Sequence, residues 1–335
     1  MDKPILGMLL GDPAGVGPEI VAKLIVNGFI SELCHPVYIG DRRVLERAFR
    51  IINEKHPIRT INDVSRADFN SKSAHLIDLK DVNLDLCPIG KVSDEGGYAC
   101  LDQLSLASEL CLDKEIEGFC FAPLNKAGMK NAGLNEESEH HYLAKAFGVD
   151  GPFGEINVVG SVWTTRTTSH IPIKDVSKNL TVERILSAIT LCDSALKSSG
   201  ISKPRIAVAA LNPHCGENGL CGREEIDVIT PAIEKANEMH CNVFGPYSSD
   251  VLFIKAFDGE FDGVVTMYHD QGQIALKLKG FEKGITIAGG LPYPIVTCSH
   301  GTAYDIAGKN LVSTKAFENA IRMASRIANH IAGRI

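Results

Sequence analysis

What most restricts the folds open to this chain is an alternation that runs its whole length. Short apolar runs follow one another, each separated from the next by a longer amphipathic segment. "PILGMLL" (4–10), "HPVYIG" (35–40), "GFCFAPL" (118–124), "INVVGSVW" (156–163), "RIAVAAL" (205–211), "GVVTMY" (263–268) and "GITIAGG" (284–290) read as strands. Between them, "PEIVAKLIVNGFI" (18–30), "DRRVLERAFRIINE" (41–54), "TVERILSAITLCDSALKSS" (181–199), "REEIDVITPAIEKANEM" (223–239) and "KAFENAIRMASRIANHIAG" (315–333) repeat apolar residues at three- and four-residue spacing, the signature of helices with one buried face. Thr181 is placed to cap the third of these helices, with Glu183 in its first turn. Strands that alternate with helices predict an α/β protein built on mostly parallel sheets, with helices on both faces.

With 335 residues, the chain is long enough for two such domains. A net charge of −7 speaks against nucleic acid as the main partner, because phosphate binding needs a basic face. No apolar run reaches the length of a membrane span, and the start of the sequence lacks the basic flank of a secretion signal. The ten cysteines include no C-x-x-C pair and several sit in apolar runs, which predicts free, buried thiols and a cytoplasmic protein. Cys215 and Cys298 lie near polar motifs, but neither has an activating base in its own motif.

In open parallel sheets, ligands bind beyond the carboxyl ends of the strands, so the residues after each strand carry the functional signal. After the first strand comes "GDPAGVGPE" (11–19), which is either a glycine-rich anion cradle or a tight strand–helix connection. It is neither a P-loop nor a dinucleotide fingerprint. Three other strands each end close to a histidine: His170 in "TTRTTSHIP", His214 in "NPHCGENG" and His269 in "YHDQG". Each one alone has a structural reading, but together they are candidate ligands for a divalent metal, with positions left open for a substrate. Asp270 and Asp250 are candidates to orient them, although Asp250 also suits a helix cap. In "HGTAYDIAGKN" (300–310), polar residues interleave with small ones that permit a ligand to approach the backbone.

Taken together, "GDPAGVGPE", "LNPHCGENG", "GPYSSD", "YHDQG" and "HGTAYDIAG" resemble the PdxA family of 4-hydroxythreonine-4-phosphate dehydrogenases, in order and spacing and over nearly the whole chain. The resemblance implies a two-domain fold of the isocitrate and isopropylmalate dehydrogenase type, expected here as 1–128 plus about 301–335 and about 129–300, with the active site in the cleft between them. It implies a homodimer whose active sites use both subunits, and a small hydroxy-acid substrate. It also implies NAD or NADP, and one divalent ion, zinc by preference and otherwise magnesium, manganese or cobalt. By position, His170, His214 and His269 match the metal ligands, Asp250 and Asp270 match aspartates that keep the site intact, and Lys277 matches a substrate-binding lysine that is also a candidate catalytic group. Ser138 stands where the family has a substrate-contacting threonine. The segment of His300, Gly301, Thr302, Asp305 and Asn310 is similar to the cofactor-binding segment of the related dehydrogenases.

Three positions depart from the family pattern. Glu137 replaces a histidine, Thr286 an asparagine, and Ile295 an arginine that binds substrate. Isoleucine cannot grip a phosphate as arginine does. Arg166, four residues before His170, is a candidate to take over that role or to bind a carboxylate, and is otherwise a strand-end arginine. The implied activity is metal-dependent, NAD(P)-linked oxidation of a β-hydroxy acid with loss of carbon dioxide. The altered pocket admits 4-phospho-D-threonate, 4-phospho-D-erythronate or an unphosphorylated dihydrodiol carboxylate as alternatives. A metabolite-binding protein without catalysis on the same scaffold is the alternative of another class.

Overall fold

The computed structural model describes residues 3–335, the side chain of Phe281 excepted. The chain divides into two compact units, residues 1–149 with 291–335, and residues 150–290. Segment 129–149, expected in the second domain, belongs to the first unit. The helices Lys126–Asn131 and Glu139–Ala146 both pack on the helix Asp94–Leu112.

In the first unit, six strands form an all-parallel arrangement in the order β3–β4–β2–β1–β5–β12. They are β1 (Ile5–Leu9), β2 (His35–Gly40), β3 (Ile58–Ile61), β4 (Ala74–Asp78), β5 (Phe119–Phe121) and, late in the chain, β12 (Ile295–Cys298). Leu6, Met8, Leu9 and Phe119 are fully buried, which explains why the central strands read as continuous apolar runs. The helix Lys315–Ile331 covers β12 and β5 and buries Phe317, Ile321 and Ala324.

The second unit orders its strands β11–β6–β7–β10–β8–β9. They are β6 (Gly154–Val159), β7 (Val162–Arg166), β8 (Ile206–Ala209), β9 (Val243–Tyr247), β10 (Gly263–Thr266) and β11 (Ile285–Gly289). β7, β10, β8 and β9 are parallel, whereas β6 runs antiparallel to both β7 and β11. The run "INVVGSVW", read as one strand, is therefore a hairpin that turns at Gly160, whose φ of 62° suits glycine. The run "PEIVAKLIVNGFI" also breaks, into the helices Gly17–Val26 and Phe29–Leu33 at Gly28, φ 75°. The predicted helix 223–239 opens with a π-turn, Glu225–Ile229, before Pro231 starts an α-helical stretch.

Candidate metal and nucleotide sites

In the second unit, β10 lies between β7 and β8, and all three are parallel. The loops bearing His170, His269 and His214 therefore leave the same edge of the sheet, from three neighbouring strands. The rings of His170 and His269 stand 5.7 Å apart, centroid to centroid. His269 opens the helix His269–Gly280, and its Nδ1 lies 2.7 Å from Asp270 Oδ1. That bond fixes the ring and leaves Nε2 as the coordinating nitrogen. Among the described residues, the ligand atoms of the three histidines do not all gather within 4.8 Å of one another in the single chain.

His214 sits in an unusual backbone. Residues 214–218 all have positive φ, between 44° and 75°, and only Gly216 among them is a glycine. The buried carboxylate of Glu225 holds this loop. It accepts the amides of Leu211 at 2.8 Å and Asn212 at 2.7 Å, and the Asn212 side chain at 2.9 Å. Strain maintained in this way at a strand end is characteristic of functional loops. Asp250 lies in the first turn of the helix Ser249–Phe257. The Ser248 hydroxyl, donating at 2.6 Å, holds its carboxyl below the usual range, with a smaller contribution from nearby His214.

Gln271 ties these segments together. Its Oε1 accepts the Met267 amide at 2.7 Å, and its Nε2 donates to the Ala210 carbonyl at 2.7 Å and to Ser249 Oγ at 2.8 Å. One side chain thus joins the loops of His269 and His214 to the helix that carries Asp250. The donor set fits a divalent ion: three imidazoles on one sheet edge, one of them held in orientation by a carboxylate.

Arg166 is engaged within the protein. Its Nε donates to Ser169 Oγ at 3.0 Å and its Nη1 to Asn157 Oδ1 at 2.6 Å, and its Nη2 pairs with Glu155. Asn157 also accepts from Gln273 at 2.5 Å and donates to Thr286 Oγ1 at 3.0 Å. Three guanidinium nitrogens are thereby committed within the protein, and Thr286 is buried and bonded to Asn157, so in the single chain both belong to one network that reaches Ser169, next to His170, and Gln273, one turn beyond His269. Lys277 is exposed, two turns beyond His269 on the same helix.

In the first unit, the segment His300–Asn310 follows β12 and is clamped to the glycine-rich turn. Val16 N donates to Thr302 O at 3.0 Å, and the Tyr304 hydroxyl donates to Asp12 at 2.5 Å. Glu19 accepts the amides of Gly308 at 2.6 Å and Asn310 at 3.0 Å. Burial raises the Asp12 carboxyl, and the Tyr304 hydrogen bond opposes that rise. Every amide from Gly11 to Val16 already has an acceptor in the protein: Gln103 Oε1, Pro123 O, Asp12 and Thr302 O. From Gly11 to Val16 the turn is therefore a tight connection whose amides are committed within the protein. The clamped segment still offers a ligand surface: His300 is half-buried, Asp305 and Asn310 are exposed, and nothing lies within 4 Å of where a Cβ on Gly301 would stand. A nucleotide's ribose hydroxyls suit such a carboxylate and open backbone.

Glu137 and Ser138 converge on one imidazole. Ser138 Oγ lies 3.0 Å from His141 Nδ1, and Glu137 Oε2 lies 3.5 Å from His141 Nε2. Ile295 has no exposed surface. In the single chain it packs in the core on β12, paired in register with Phe119. Burial pushes the Cys298 thiol up to about 12 and also raises Cys215, which favours the thiol over the reactive thiolate at both. All ten cysteines are free. Among the described residues, no helix is long and apolar enough to cross a membrane.

Comparison with known proteins agrees with this arrangement. The sequence profile described as "Pyridoxal phosphate biosynthetic protein PdxA" matches residues 32–324. A Pseudomonas aeruginosa relative, provisionally named a second 4-hydroxythreonine-4-phosphate dehydrogenase, is 43% identical over 330 residues, covering 98% of each chain. A Halalkalibacterium halodurans relative, provisionally named a D-threonate 4-phosphate dehydrogenase, is 37% identical over 328 residues, again 98% of each. The crystal structure of a 4-hydroxythreonine-4-phosphate dehydrogenase from Burkholderia phymatum superposes with a TM-score of 0.83 at 36% identity, covering 98% of this chain and 99% of that one. With its three histidine-bearing strand ends and a family match spanning most of its length, this chain belongs to the PdxA family of dehydrogenases.

Proposed function

We propose that the protein oxidises the secondary alcohol of a 4-phosphorylated β-hydroxy acid with NAD or NADP and releases carbon dioxide, using one divalent ion held by His170, His214 and His269. The observation that carries this reading is the emergence of the three histidines from three neighbouring parallel strands, with the His170 and His269 rings 5.7 Å apart. When bound, the ion supplies Lewis-acid stabilisation of negative charge on oxygen, and the nicotinamide accepts the hydride. The chain's own groups set the geometry. Asp270 orients His269 through Nδ1, Gln271 fixes the strand ends, and Glu225 holds the His214 loop. Lys277 places a cation two turns along the same helix, where Nζ steers the substrate anion or returns a proton to it. Asp305 accepts from the ribose, and the active site is completed by the second subunit of a homodimer.

The relatives' names point to a substrate bearing a 4-phosphate. Isoleucine at 295 and threonine at 286, in place of the arginine and asparagine that the resemblance assigns to substrate binding, withdraw two polar groups, which favours a second reading, an unphosphorylated dihydrodiol carboxylate. A substrate panel distinguishes them: 4-hydroxythreonine 4-phosphate, D-threonate 4-phosphate, D-erythronate 4-phosphate and a dihydrodiol dicarboxylate, each with added zinc, magnesium, manganese or cobalt. NADH or NADPH formation with a phosphorylated acid supports the first reading. Formation with the dihydrodiol alone supports the second, and none with any of them sinks both. His214→Ala is expected to abolish both turnover and calorimetrically measured metal binding. A variant that kept both would remove His214 from the site.

A further inference from the structure

The amino-terminal ends of β2 and β4 lie at the sheet edge opposite the nucleotide-segment loops, and they carry a cavity of about 420 Å³. That volume is within the range of small-molecule sites. Its permanently charged lining is Lys3 and Lys72, joined by the imidazoles of His35, His56 and His75, and among the described residues no aspartate or glutamate lines it.

The second feature is an aromatic wall. Phe69 stacks on His35 at 4.5 Å with an interplanar angle of 27°, and meets His75 edge-on at 6.3 Å. His75 Nε2 accepts the Asp68 amide at 3.2 Å, which fixes that ring's orientation. Lys3 Nζ donates to the Ser31 carbonyl at 2.7 Å, so this ammonium is also held in place. The remaining polar lining includes Ser31, Asn70, Ser71, Ser73 and the largely buried Tyr38, groups that hydrogen-bond carboxylate or phosphate oxygens. Burial holds the His75 imidazole below its ordinary range, Arg59 adds to that and Asp68 opposes it, so this ring serves as a neutral group.

From this we propose that the cavity is a second small-molecule site, distinct from the catalytic region, that takes a small planar anion: an aromatic ring bearing one carboxylate or phosphate. The ring lies against Phe69 and His35, and the anionic group meets Lys72, Lys3 and the serines. Neither feature alone specifies this ligand. A bare phosphate would leave the aromatic wall unused, and a neutral ring would bring no negative charge to Lys3 and Lys72.

The test is a titration of full-length protein carrying carbon-13 histidine, with ring signals assigned through His35→Gln, His56→Gln and His75→Gln. The probes are phenyl phosphate, benzoate, inorganic phosphate and benzyl alcohol. Phenyl phosphate and benzoate are expected to shift these three signals saturably. Inorganic phosphate should bind at least about tenfold more weakly, and benzyl alcohol not at all. Lys72→Glu changes an exposed residue and should weaken both aromatic anions at least about tenfold with the fold intact. Phe69→Leu should weaken the aromatic anions and leave inorganic phosphate unchanged. The proposal is overturned if no probe shifts the three signals, if the shifts fall only on His170, His214 and His269, if inorganic phosphate binds as well as phenyl phosphate, or if Lys72→Glu leaves both affinities as they were.

Discussion

At the scale of single residues, the chemistry depends on how ionisable groups are held. Asp270 bonds His269 Nδ1 at 2.7 Å and is itself exposed, so its removal should affect the imidazole without disturbing the core. Asp270→Asn is expected to lower metal affinity about 10- to 100-fold, read by competition against a chelator, with the circular dichroism spectrum unchanged. Equal affinity in the two proteins would deny Asp270 its orienting role. Asp81, just beyond β4, behaves differently. Burial, reinforced by Asp102 and Asp41, pushes its carboxyl up to about 7. Its folded-state value lies above the unfolded one, so its contribution to stability is complete in acid, below the unfolded value near 3.8, and is lost as pH rises through about 7. Asp81→Asn carries no such charge. It should raise the melting temperature clearly at pH 8 and much less at pH 5. An equal change at both values would mean that the carboxylate is not forced into its charged form at a cost.

The elements show where sequence patterning was informative and where it was not. The helices Val182–Ser198 and Lys315–Ile331 were legible because each keeps one apolar face over many turns, and Thr181 caps the first of them by accepting the Arg184 amide at 3.2 Å. The three histidines were legible because each follows an apolar strand. Glu225, Gln271 and Asn157 were not, because a buried polar side chain that holds a loop has no characteristic spacing; its partners lie in distant segments. The β6–β7 hairpin does leave a mark, the exposed Gly160–Ser161 pair between two apolar runs, but so short a turn is easily absorbed into one longer strand. Close packing is equally silent in the sequence. At Gly97 a Cβ would stand 2.0 Å from the Gly128 carbonyl oxygen, so the helices Asp94–Leu112 and Lys126–Asn131 meet only because that position is glycine. Gly97→Ala should cost roughly 1–3 kcal/mol or more in urea denaturation, since the clash is with backbone that cannot rotate away. Gly151→Ala is the control: a Cβ there meets nothing within 4 Å, and its midpoint should hardly move. Similar losses for the two would show that the effect is not one of packing.

At the scale of the whole molecule, the question is whether one chain can complete the metal site. Three neighbouring strands deliver His170, His269 and His214 to one sheet edge, yet only the first two rings are shown paired, and the three sets of ligand atoms do not gather within 4.8 Å in the single chain. If each site draws its histidines from both subunits of a homodimer, a defect on one chain can be separated from a defect on the other. His170→Ala and His214→Ala should each be inactive as pure dimers. In a mixed dimer of the two variants, one site receives both defects and the other receives neither, provided that the two histidines of any site come from different subunits. Subunit exchange at equal amounts makes about half the dimers mixed, each with one intact site of two, so activity should recover to about a quarter of the native level. A site built wholly within one chain gives the opposite result, because every chain in the mixture still carries one lesion. Recovery near a quarter, appearing on mixing and absent from either variant alone, would place His170 and His214 of each working site on different subunits. No recovery after exchange, confirmed by differently tagged chains purifying together, would place His170 and His214 of each site on the same subunit and overturn the arrangement in which they are divided between the two.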